Sequence, residues 1–115
     1  MRARVIWLTA GSLALLGSVG IAQQPAGDAA RGQHLFMADG CYECHGTVGQ
    51  GGAAPRLAPD PLPAEGIALY IRKPADVMPP YAEKVLDDQA VRDLQAYLAS
   101  VPQPPSLKDI RLLAP

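Results

Sequence analysis

The only two cysteines of this 115-residue chain stand in one short run, Cys41-Tyr42-Glu43-Cys44-His45. A redox dithiol places such a pair between a strand and a helix, whereas here a helical pattern precedes it and a Gly-rich stretch follows. A structural zinc site needs four Cys or His ligands. The chain offers Cys41, Cys44, His45 and one further histidine, His34, at a spacing that does not suit a single site. A disulfide across two intervening residues closes almost no loop and contributes little stability.

The pattern that remains is covalent haem attachment, Cys-x-x-Cys-His. Two thiols about one turn of chain apart add across the two vinyl groups of the porphyrin. The next residue, His45, is thereby held under the iron, where its Nε2 can coordinate. Haem iron with His on one side takes Met on the other when the task is electron transfer, and the thioether raises the potential. Beyond Met1 the candidates are Met37 and Met78. Met37 lies four residues before Cys41, on the attachment side, and is expected to fill core space. Met78 lies 33 residues past His45, in Val77-Met78-Pro79-Pro80-Tyr81, where two prolines stiffen the chain around it. It is the expected sixth ligand. His34, on the same helix as the attachment side, is expected to face solvent.

The elements that must position these groups are helical. Asp28 can cap a first helix that begins at Ala29 and runs through Leu35, Phe36 and Met37 to the turn pair Asp39-Gly40. Residues 46–63, rich in Gly, Pro and Ala, read as a loop that wraps a bound group rather than packing on itself. A second helix is expected over 64–72, with Ile67, Leu69, Tyr70 and Ile71 as its apolar surface. Pro74, Pro79 and Pro80 then impose an extended segment around Met78. The last helix is the clearest: Asp87 caps it, and Val91, Leu94, Tyr97, Leu98 and Val101 recur at three and four. No strand pattern and no repeat is present. The expected class is all-α, with three to four short helices.

Composition bounds the rest. One Trp, one Phe and four Tyr are few large side chains for a core, and small domains often lean on a metal or cofactor. A net charge of −1 excludes the basic stripe of a nucleic-acid binder. The start, Met1-Arg2-Ala3-Arg4, is followed by an uncharged run to Ala22 that ends Gly20-Ile21-Ala22. That is the layout of a cleaved signal peptide over 1–22. An uncleaved membrane anchor is the alternative, opposed by the Thr, Ser and Gly that dilute the run. Cleavage leaves eight basic against eleven acidic residues, a net −3. Residues 23–101 form the expected domain and 102–115 a Pro-rich tail.

With these residues in order, the chain resembles a class I c-type cytochrome over about residues 28–101. The resemblance implies a small cytochrome c fold wrapped around one covalently bound haem. It assigns Gly32 and Phe36 to the small residue and aromatic of the first helix, and Tyr97 to the aromatic packed over that small residue. It also assigns Pro55 the carbonyl that accepts from the proximal His Nδ1–H, and Met78 the Met-Pro ligand.

The expected function is that of a periplasmic single-electron carrier with His45 and Met78 as axial ligands and no catalytic chemistry of its own. Leu35, Phe36, Ile67, Leu69, Leu94, Tyr97 and Leu98 are expected to exclude water, and Arg56, Tyr70 and Arg72 are candidates to hydrogen-bond the propionates. By analogy with small bacterial cytochromes the partners are a periplasmic dehydrogenase or an oxidase of a respiratory complex, met transiently or as a fellow subunit. Two alternatives stay open: a five-coordinate haem sensor or peroxidase-like protein, in which Met78 leaves the iron free, and a non-haem metal module.

Overall fold

The computed structural model describes residues 26–112. The segment read as a signal peptide, 1–22, and the last three residues of the tail lie outside the described residues. Among those described, the chain forms four α-helices and a short 3₁₀ turn, Leu107–Asp109, with no strand.

Helix α1 spans Ala29–Ala38 and starts where the Asp28 carboxylate accepts from the N–H groups of Ala30 and Arg31, filling two of the donors a helix start leaves open. It stops at Asp39-Gly40. The chain then re-enters a helix, α2, over Cys41–His45. Helix α3 spans Ala64–Arg72, bounded by Pro63 on one side and Lys73-Pro74 on the other. Helix α4, Asp88–Ser100, is capped by Asp87, which accepts from the Ala90 N–H.

The core sits where α1 crosses α4, with α3 also packed against α4. The crossing is close because Gly32 has no side chain. A Cβ built there would run into the Asp93 carbonyl and stand 2.9 Å from Tyr97 Cβ. One turn on, the rings of Phe36 and Tyr97 meet at 5.6 Å between centroids, tilted by 57°, a favoured aromatic geometry. Phe36, Leu86, Val91, Leu94, Tyr97 and Leu98 are buried around it.

At the edge of this crossing lies a charge. Asp93, wholly buried, accepts from the Asp28 N–H at 2.8 Å, from Gln89 Nε2 at 2.9 Å and from Arg31 Nη1 at 2.5 Å. Burial alone would raise its pKa. The Asp28 N–H, the Gln89 amide and the Arg31 guanidinium outweigh that and hold the carboxyl below its ordinary value.

Three expectations are corrected. Leu69 is 76% exposed and excludes no water; Ile67 and Ile71, four apart, form the inner face of α3, and Leu69 lies between them on the outer one. Met37 is 39% exposed rather than core filler, because Gly32 and Phe36 take the buried face of α1. The loop over 46–63 does pack on itself: the N–H groups of Leu57 and Ala58 both donate to the Gly49 carbonyl.

Candidate functional site

The site is built on α2. Gly40 has a φ of 76°, a left-handed conformation that glycine adopts without steric cost, and the reversal lets the new helix start at Cys41. One turn of helix then sets Cys41 and Cys44 on neighbouring positions and carries His45 inward, to 8% exposure. Cys44 is exposed and Cys41 half-buried. Burial first, and then the Asp39 carboxylate, push the Cys41 thiol up to about 11.

His45 is oriented from behind. Its Nδ1 donates to the Pro55 carbonyl at 2.8 Å, so the proton sits on Nδ1 and the Nε2 lone pair is free to bind a metal. The loop that supplies this carbonyl is anchored on the motif: Gly51 N–H donates to the His45 carbonyl and Ala54 N–H to the Cys44 carbonyl.

Cys41, Cys44, His45 and Met78 line one cavity of about 580 Å³, walled by Phe36, Leu57, Ile67, Ile71 and Leu98. A smaller cavity of about 100 Å³ shares His45, Leu57, Ile67, Ile71, Met78 and Leu98 with it and adds Tyr70, Pro61 and Leu62. Volume and lining suit a cofactor-sized apolar ligand with a few placed polar groups. Two thiols on one helical turn and a free imidazole nitrogen are the groups that covalently bound haem requires, and the residues present fit it. Asp39 and Glu43 are the charged side chains in the lining.

The other candidates divide. Tyr70 is half-exposed and borders the smaller cavity. Pro55 contributes its carbonyl. Arg56 is exposed and absent from both linings. Arg72 is corrected as a propionate candidate, because its guanidinium donates to the carbonyls of Tyr81 and Leu86. His34 is exposed. Among the described residues, no group of three or more His, Cys, Asp or Glu side chains is gathered to hold a metal ion.

Sequence reasoning missed two residues. Tyr81 lines the large cavity and its hydroxyl donates to the Asp39 carbonyl at 2.7 Å. Burial, Cys41 and Asp39 raise its pKa, so it stays a donor. An aromatic directly after Pro79-Pro80 was the available signal. Asp93 was signalled by a carboxylate inside the apolar stripe of α4.

An all-helical domain closing on a Cys-x-x-Cys-His turn defines a c-type cytochrome. The model of the family described as cytochrome C oxidase, cbb3-type, subunit III matches residues 27–98, more than half of the chain, and the chain belongs to that family. No curated protein and no solved structure matches it. The cofactor is covalently attached haem c, and the chemistry is haem-based electron transfer. No helix among the described residues is long and apolar enough to cross a membrane.

Proposed function

We propose that the protein is a periplasmic single-electron carrier in which Cys41 and Cys44 hold haem c through thioethers and His45 and Met78 are its axial ligands. The observation that carries this reading is that all four residues line one apolar cavity while the Pro55 carbonyl holds the His45 proton on Nδ1. Haem c supplies a one-electron iron couple. The chain's own residues keep that couple fast and selective. His45 is held against rotation by Pro55 and by its own burial. Met78 sits in a proline-stiffened segment, so its sulfur needs little movement on electron transfer. Phe36, Leu57, Ile67, Ile71 and Leu98 exclude water, which together with a thioether ligand favours the reduced state.

In this reading residues 1–22 are a signal peptide removed on export, 23–101 are the haem domain, and 102–115 are a Pro-rich tail. Export is supported by the habit of c-type cytochromes and by the layout of the first 22 residues. Electrons pass at the exposed Cys44 side during brief docking. The partner is a periplasmic dehydrogenase or a respiratory oxidase, and the family's oxidase-subunit description supports the second.

The test is an optical spectrum of holoprotein, oxidised and reduced, beside Met78→Ala. Sharp low-spin ferrous bands and a weak far-red ferric band, lost in the variant, are the expected result. A high-spin spectrum that shifts with carbon monoxide or peroxide would replace this reading with an open-iron sensor or peroxidase-like protein.

A further inference from the structure

The segment that carries Met78 has almost no structure of its own. Residues 74–80 form no helix or strand, only a turn at Asp76-Val77, and Val77 is 98% exposed. Asp76 holds a φ of 57°, a region costly for residues with a Cβ. Three prolines limit the segment's freedom, yet rigidity within it does not fix where it sits.

Its position is set at its base and at one lateral point. The Tyr81 N–H donates to the Ile71 carbonyl at 2.8 Å. From the last residue of α3, Arg72 reaches across the base with two donors: Nη1 to the Tyr81 carbonyl at 2.9 Å and Nη2 to the Leu86 carbonyl at 2.5 Å. Leu86 is buried in the core at 1% exposure, so the guanidinium ties the segment to the packed core. The Tyr81 hydroxyl then crosses to the Asp39 carbonyl, two residues before Cys41. Tyr81 thus stands three residues after Met78 and bonds to the stretch that carries the attachment turn. It joins the two walls of the cavity.

We propose that Arg72 and Tyr81 are positioning residues that hold Met78 against the iron, Arg72 by closing the base of its segment and Tyr81 by bridging it to Asp39. This rests on the axial role of Met78 proposed above. The rigid fork of the guanidinium aims two separate nitrogens at two carbonyls, a geometry the single nitrogen of a lysine at position 72 reproduces only in part.

The experiment uses ferric holoprotein mixed rapidly with imidazole. The limiting rate at high imidazole reports how often Met78 leaves the iron, not how well imidazole binds. Each hydrogen bond contributes about 0.5–1.5 kcal/mol net, more from a charged donor. Tyr81→Phe is therefore expected to raise the limiting rate about threefold or more, and Arg72→Met about tenfold or more, with Arg72→Lys between wild type and Arg72→Met. Leu94→Ala weakens the α1/α4 core away from this segment and is expected to leave the rate near wild type, as is the exposed Lys84→Met. Rates for Tyr81→Phe and Arg72→Met within twofold of wild type would overturn the proposal, as would an equal acceleration by Leu94→Ala. A wild-type protein with its far-red band but insensitive variants loses only the clamp. A wild-type protein without that band loses both the clamp and the ligand assignment.

Discussion

Gly32 of α1 lies directly against the backbone carbonyl of Asp93 in α4, with Tyr97 Cβ beside it. On helix propensity alone, Gly32→Ala would stabilise α1 by about 1 kcal/mol. The contact reverses the sign, because the added methyl meets backbone rather than a side chain that can swing away. The expected outcome is a loss of about 1–3 kcal/mol or more, measured by urea unfolding of the holoprotein. A stabilised variant would show that the helices separate easily.

Asp93 contributes to the acid limb of stability. Its pKa is lowered on folding, so its contribution is fully present above the ordinary carboxylate value near 4 and is lost as pH falls through the lower folded value. Asp93→Ala leaves the Asp28 N–H and the Gln89 amide without their acceptor, at an expected cost of about 2–4 kcal/mol. Arg31 is half-exposed, and its charge adds the smaller part. Urea unfolding from pH 3 to pH 7 should show a large variant deficit at pH 7 that narrows toward pH 3. A deficit constant with pH would contradict the assignment.

The left-handed turn at Asp76 separates two substitutions of opposite kind. Asp76→Val places a β-branched side chain where φ is 57° and is expected to cost about 1–2 kcal/mol. Asp76→Gly removes the strain but loosens the unfolded chain, and the two effects nearly cancel. Thermal unfolding of both variants checks the ordering.

Burial on α1 and α3 predicts contrasting costs for two apolar residues. Leu69→Ser, on the outer face of α3, should change stability by no more than about 0.5 kcal/mol. Phe36→Ala removes a ring that is 1% exposed, lines the cavity and meets Tyr97. It should cost about 3–5 kcal/mol and weaken haem retention, read by denaturant titration of the holoprotein followed at the haem absorption.

Much of this architecture was legible. Helix α3 runs over the expected 64–72 because Pro63 and Pro74 bracket it, and α4 begins where Asp87 caps it. Both signals act within one turn of chain and need no tertiary context. The five-residue α2 is too short for periodicity to reveal. Leu69 was misjudged because four apolar residues within five positions cannot all face inward, and residue type alone does not say which do. Arg72 depended on where the carbonyls of Tyr81 and Leu86 arrive after a loop. No local pattern encodes that course. Asp93 was overlooked because a carboxylate is read by default as solvated, and its three donors come from both α4 and the start of the α1 region.

The Gly-rich stretch after His45 is the part of the domain that composition would nominate for cutting, lengthening or grafting. Its backbone forbids this. Gly51 and Ala54 each bond back to the attachment turn, and Leu57 and Ala58 close on Gly49, so the number of residues between His45 and Pro55 is set from both sides. One inserted residue would carry the Pro55 carbonyl off the imidazole ring. A label or a fused protein belongs instead beyond Val101, where the tail from Pro102 to Asp109 is exposed throughout.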